Sequence, residues 1–322
     1  MPARANDALA ALASTYGFKE IDLYTIARAK LGFKMDFEQT ISAAELRKMK
    51  KEARAFTAAE TPVPESFTWT NTNRTKCPIG SVREQSNCAS GWAVATAAAL
   101  SDRFCLQSNG TFTTPLSHQK LVSCTPYNQG CQGGYLYDVF RYLQQNGTVT
   151  GGEYESDEGC QMYEIRPCGA FTHSMPCDRT TASTPKCKEN KCNNDWYAAK
   201  TEKRTYKISS YKWVSAYYND ETTKQELYNN GPLVASFWVY PDFMLYKSGI
   251  YEHKLGYYPL GLHAVKIVGW GVYNGTKYWH VANSWGKYWG ENGFFRIRRG
   301  TNECNIDWYT IALIPNNTMS SN

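Results

Sequence analysis

Three short stretches carry the side chains with the most chemical potential. Gln85-Ser86-Asn87-Cys88-Ala89-Ser90-Gly91-Trp92 places an amide, a thiol and a hydroxyl directly ahead of a strong helix pattern, Trp92 to Arg103. A helix N-terminus carries partial positive charge and free N–H groups, and both stabilise a thiolate. The residue at that favoured position is Gly91, which has no side chain to ionise. Downstream, His263 and Asn283 stand twenty residues apart, a separation that adjacent antiparallel strands can close. Taken singly, a His on a strand is most often structural, and an Asn before Ser-Trp-Gly is most often a turn residue.

The elements that must position these residues change character along the chain. Residues 1–62 are rich in Ala, Lys and Glu, contain no Cys, and read as helical, with one helix over Phe18 to Leu31. Ser42-Ala43-Ala44-Glu45 is a capping box that opens a second helix through Phe56. Thr61-Pro62-Val63-Pro64 then forbids helix continuation and marks a boundary. After the Trp92 helix, Gly130-Cys131-Gln132-Gly133-Gly134-Tyr135 precedes a fourth helix, Leu136 to Asn146. Residues 160–195 are rich in Cys and Pro and carry few helix or strand signals, and a loop of that length in a compact domain is usually functional. The second half reads as strands at Leu233 to Tyr240, Ala264 to Trp270, Tyr278 to Ala282 and Gly293 to Ile297, with the turn signal Asn274-Gly275 between two of them.

Composition narrows the class. The 322 residues are 42% hydrophobic and 14% aromatic, which is globular and ample for a core. The net charge of +6 is dispersed and no nucleic-acid motif is present. No stretch is long enough to span a membrane. Eleven Cys, all after residue 76 and irregularly spaced, point to disulfides and an oxidising compartment. The nearest metal-like spacing, Cys187 to Cys192 with Cys177 nearby, has no His pair at ligand spacing, so no metal is expected. Sequons at Asn73, Asn109, Asn146, Asn274 and Asn316 agree with a secretory route. Residues 1–20 lack the apolar core of a signal peptide, and the start is therefore expected to be internal to a longer precursor.

The Gln85–Trp92 segment resembles the active-site segment of papain-type cysteine peptidases, whose signature is Cys-Gly-Ser/Ala-Cys-Trp/Tyr. Cys88, Ser90 and Trp92 fit that signature; Ala89 replaces its Gly, and Gly91 stands where the catalytic Cys belongs. The resemblance covers about residues 63–315 and is cathepsin B-like, because the 160–195 segment resembles that branch's occluding loop. It implies an α+β, two-lobe papain-like fold with a helical left lobe, a β-barrel-like right lobe and a cleft between them. Residues 1–62 would be a helical prosegment and 63–322 the peptidase-type domain, with maturation near Val63 to Glu65.

Carried over residue by residue, the resemblance makes Gln85 the oxyanion-hole amide, His263 the base and Asn283 the residue that orients it. Trp285 would shield that hydrogen bond. Gly133 and Gly134 would form the wall that pairs with extended substrate, and Tyr309 would stand at the base of the S2 pocket, where cathepsin B has an acidic residue. Leu262 replaces a Gly and would add bulk beside the cleft. The pair of adjacent occluding-loop histidines is absent, with His173 alone between Cys168 and Cys177. The implied disulfides are Cys77–Cys105, Cys88–Cys131, Cys124–Cys187, Cys160–Cys192 and Cys168–Cys177, leaving Cys304 free. Glycine at 91 cannot carry an acyl group, and loss of the nucleophile from a comparable triad costs on the order of a millionfold in turnover. The expected function is that of an inactive cathepsin B-like homologue that keeps a peptide-binding cleft. The alternatives are an active endopeptidase with an unforeseen nucleophile, and a structural or matrix scaffold. The expected partners are peptides or proteins in the cleft and the chain's own prosegment, without cofactor, acting as a monomer in a lysosomal or extracellular setting.

Overall fold

The structure is a computed structural model, and it describes residues 62–72, 74–168, 180–217, 219–316, 320 and 321, with Ser14, Ala44, Arg47, Lys48, Lys50 and Lys51 ahead of them. Those five residues from Ala44 to Lys51 are helical. The rest of the two N-terminal helices read from the sequence lies outside the described residues.

In chain order the elements are β1 (Phe67–Thr68), α1 (Gly91–Gln107), α2 (His118–Cys124), α3 (Leu136–Gln145), β2 (Arg204–Thr205), β3 (Ile208–Trp213), α4 (Asp220–Asn230), β4 (Leu233–Val239), α5 (Pro241–Met244), β5 (Ile250–Tyr251), β6 (Gly261–Tyr273), β7 (Thr276–Ala282), β8 (Phe294–Arg298), β9 (Tyr309–Pro315) and β10 (Ser320–Ser321). The content is mixed α+β. The main sheet runs β3-β9-β4-β6-β7-β8-β5, with β1 added on β6. Most pairs are antiparallel; β5 lies parallel to β8. The sheet is open: β3 and the two-residue β5 are its edges, and they do not pair with each other. This corrects the barrel-like closure expected of the right lobe. Strand number and length do not by themselves close a sheet; the two edges must also meet in register.

Alternation along the central strands builds two cores. On β4, Leu233, Ala235, Phe237 and Val239 face one cluster with Phe243, Trp285 and Phe295. Val234 faces the other, with Trp92, Leu100, Phe140, Tyr309 and Leu313. On β6, Val265 and Ile267 join the first cluster, and Leu262 and Ala264 the second. A strand covered on both faces reads as a continuous apolar run, which is how β4 and β6 read. Helix α1 is covered almost all round; its Ala-rich sequence lets neighbouring elements approach closely.

Four disulfides join pairs of described residues: Cys77–Cys105, Cys88–Cys131, Cys124–Cys187 and Cys160–Cys192. Cys168 is also disulfide-bonded, and Cys177 lies outside the described residues. The described parts of the 160–195 segment contain no helix and no extended strand. No helix among the described residues is long and apolar enough to cross a membrane.

Candidate active site

Gly91 is the first residue of α1, behind an N-cap, Ser90, that makes no capping hydrogen bond through its side chain. The Ser90 hydroxyl instead meets the Tyr163 hydroxyl at 2.9 Å and the Cys88 carbonyl at 3.4 Å. Cys88 is bridged to Cys131. The side chains of Ser90 and Cys88 beside Gly91 are thus both engaged.

His263 lies on β6 and Asn283 directly follows β7, its antiparallel partner, so the twenty-residue separation is closed by strand pairing. Nε2 of His263 is 2.8 Å from Oδ1 of Asn283. An amide oxygen accepts, so Nε2 donates, and the lone pair of the neutral ring is on Nδ1. Trp285 stacks on the imidazole with ring centroids 5.0 Å apart and planes 27° apart. His263 and Trp285 are both buried. A β-carbon placed on Gly91 would lie 2.8 Å from His263 Nδ1, 2.7 Å from its Cε1 and 3.3 Å from Gln85 Oε1. Gly91, His263, Asn283 and Gln85 thus meet at one point, and the imidazole stands where a side chain at 91 would begin.

Gln85 is tied down at every polar atom named here. Its N–H donates to the Ser284 carbonyl at 2.9 Å, and its carbonyl accepts from Tyr163 at 3.0 Å. Its side-chain Nε2 donates to the Cys88 carbonyl at 2.9 Å, and Oε1 accepts from the Ser284 hydroxyl at 2.6 Å. An isolated bridge between Glu84 and Trp285 runs alongside. The loop of the helical lobe is in this way fastened to the segment that follows β7. Sequence reading gave Ser284 and Tyr163 no role. Ser284 sits inside the Asn-Ser-Trp-Gly motif, and that was the signal available; Tyr163 had none.

The remaining predicted positions divide. Gly133 has φ of +109°, which favours glycine. A β-carbon on Gly134 would lie 2.7 Å from the Trp92 indole and from the Asn128 side chain, so close packing of Trp92 already requires glycine there. Tyr309 is buried at the start of β9, its ring 6.2 Å from that of Trp213, and burial pushes its phenol well above the usual range. Leu262 points away from His263, as alternation on a strand demands, into the core beneath α1. The bulk expected beside the cleft is absorbed there. His173 lies outside the described residues. Among the described residues no group of three or more His, Cys, Asp or Glu side chains could hold a metal.

Two buried ion pairs fix the lobes around the site. Asp102 and Arg103 are consecutive on α1. Asp102 accepts from Lys266 of β6 at 2.6 Å. Arg103 donates to Glu226 of α4 at 3.0 Å and to the carbonyls of Pro232, Gly231 and Leu313. Burial raises the Asp102 carboxyl, and Lys266 only partly offsets it. A lysine in the middle of an apolar strand was the sequence signal for this pair.

The arrangement brings an imidazole, a fixed amide and a helix N-terminus together at a glycine. Residues 63–314 match the family described as papain family cysteine protease. The chain is 43% identical over 244 residues to cathepsin B-like cysteine proteinase 4 of Caenorhabditis elegans, covering 74% of this chain and 71% of that protein. It is 39% identical over 286 residues to cathepsin B-like cysteine proteinase 2 of Haemonchus contortus, covering 84% and 80%. Among solved structures, procathepsin B S9 from Trypanosoma congolense superposes with a TM-score of 0.69 at 33% identity, covering 91% of this chain and 89% of that one.

Proposed function

Because this chain belongs to the papain family of cysteine proteases, we propose that it is a cathepsin B-like member that binds extended peptides without cleaving them. The observation that carries this reading is the site at Gly91. A papain-type reaction needs a thiolate there, and the position has neither a thiol nor room for one beside the imidazole as it stands. The groups that remain, Gln85, His263 and Asn283, are those that bind and polarise rather than those that bond. Gly133 and Gly134 would flank the bound backbone, Trp285 would shield the His263–Asn283 bond beneath it, and Tyr309 would close the pocket below one side chain with an aromatic ring in place of an acid.

Residues 1–62 act in this reading as the prosegment and 63–322 as the binding domain, in a lysosomal or extracellular setting. The disulfides support an oxidising compartment. A protein without a nucleophile cannot clip its own prosegment, so either another protease performs the cut near Val63 to Glu65 or the prosegment stays in the cleft.

An epoxide or vinyl-sulfone probe for active-site thiols tests the reading. No labelling of the wild-type protein is expected, together with measurable affinity for extended peptides once the prosegment has been removed. Labelling or peptide hydrolysis by the wild type would make the protein an active endopeptidase. Absence of both labelling and binding would leave it a scaffold.

A further inference from the structure

The hairpin between β6 and β7 turns on two residues, Asn274 with φ of +49° and Gly275 with φ of +75°, flanked by the cross-strand pair Tyr273 and Thr276. Two consecutive positive φ values make this a type I′ turn, the tight form that Asn-Gly favours. Asn274-Gly275-Thr276 is also a sequon, and strand pairing sets the aromatic Tyr273 directly opposite its Thr276.

Tyr273 is 58% exposed. The Arg296 guanidinium lies 5.7 Å from its ring centroid and 5.5 Å from that of Tyr278. By the two-residue period of strands, Tyr273, Thr276, Tyr278 and His280 share one face of the sheet. A cavity of about 570 Å³, lined by Tyr278, His280, Arg296, Glu291 and Trp270 among others, opens on that face. Its ionic side chains are already paired, since Arg296 donates to Glu291 at 2.6 Å. What remains for a ligand is ring surface and neutral polar atoms, which suits the C–H faces and hydroxyls of a saccharide.

We propose that Asn274 carries an N-linked glycan whose first N-acetylglucosamine packs on Tyr273. In the transfer, Nδ2 of Asn274 bonds to the anomeric carbon of a lipid-linked oligosaccharide. The anomeric C–O bond to the lipid diphosphate breaks, the diphosphate leaves, and the amide nitrogen gives up one proton. Asn109-Gly110 has a like pair of positive φ values, +53° and +79°, and the contrast with the other described sequons lies in their surroundings. Asn109 lies just past the end of α1, and Asn146 caps α3 with the hydroxyl of its Thr148 buried on the Ser117 carbonyl. Neither has an exposed aromatic ring as its preceding residue. The inference rests on the secretory-route reading given above.

The full chain, secreted behind a cleavable leader from a glycosylating eukaryotic host, should yield a tryptic peptide with Asn274 occupied in most molecules. Removal of glycans with peptide N-glycosidase should lower Tm by about 2 °C more in the wild type than in Tyr273→Thr, with Tyr273→Phe behaving as the wild type. Because glycans elsewhere contribute equally to both proteins, the difference reports the ring. Asn274 bare while Asn109 or Asn146 is occupied would overturn the proposal and leave the secretory route standing. Equal Tm shifts in wild type and Tyr273→Thr would overturn the packing on Tyr273. All five sequons bare on protein taken from its own source would remove the secretory route and this proposal with it.

Discussion

Nδ1 of His263 stands 2.8 Å from the place where a β-carbon on Gly91 would sit, closer than unbonded carbon and nitrogen approach. The imidazole cannot back away freely, because Asn283 holds it at Nε2 and Trp285 covers its face. Gly91→Cys is therefore expected to regain hydrolysis from an undetectable level, but with a weak thiolate–imidazolium pair. Active-site titration and kcat/KM of that variant check this. Activity equal to that of an intact cathepsin B-like enzyme would mean that the ring moves at no cost.

The same contact fixes a sign for stability. Gly to Ala within a helix ordinarily stabilises by about 0.5–1 kcal/mol. At Gly91 the methyl group meets the ring, and Gly91→Ala is expected to destabilise by about 1–2 kcal/mol. Urea denaturation decides between the two signs.

Lys266 and Asp102 are each almost fully buried, at 4% and 7% side-chain exposure. Removing one partner leaves a charge without compensation, so Lys266→Met should cost about 3–5 kcal/mol. Replacing both, as Lys266→Met with Asp102→Leu, should recover most of that loss. A double-mutant cycle by denaturant unfolding measures the coupling.

His280 is bonded through Nδ1 to Thr68, and burial pushes its pKa down to about 4. A histidine depressed in the fold contributes stability that is present above about pH 6.5 and is lost as pH falls through the folded value. Burial also depresses His118, in the same sense. The raised carboxyl of Asp102 acts the other way, its contribution fading as pH rises above the usual carboxylate range. Between pH 6.5 and 4, His280→Gln should lose about 2 kcal/mol less stability than the wild type, read from urea midpoints at each pH.

Cys304 is free and half-buried, and burial followed by Glu303 drives its thiol far above the usual range. The native protein should resist iodoacetamide at pH 8. Unfolding without reductant should expose one alkylatable thiol, countable by intact mass.

Much of this was legible in order along the chain. The start of α1 at Gly91 and the cores of β4, β6, β7 and β8 follow from apolar pattern and turn residues. β6 extends beyond its reading, Gly261–Tyr273, because β4 and β7 pair with opposite ends of it. Helix α4 went unread although its caps were available. Asn219 accepts from Thr222 N–H, acids occupy the first turn, and Gly231 ends it, but its apolar stripe is too weak to draw attention. Apart from the meeting of His263 with Asn283, the contacts that define the site were not legible. The position of the His263 ring, the Ser284–Gln85 bond and the pairing of Asp102 with Lys266 depend on how distant segments are brought together, which local periodicity does not encode.

One strand sets a timetable. β9, Tyr309–Pro315, is inserted between β3 and β4 and bonds to both. Those two strands leave the ribosome well before it, yet they cannot become neighbours across the sheet until β9 arrives. Both lobes' apolar surfaces on that side wait exposed in the meantime, a vulnerable interval for a chain dominated by long-range pairing. A polypeptide stopped before Tyr309 would lack an interior strand rather than a trimming at the edge, and its birth as a folded protein waits on the synthesis of β9.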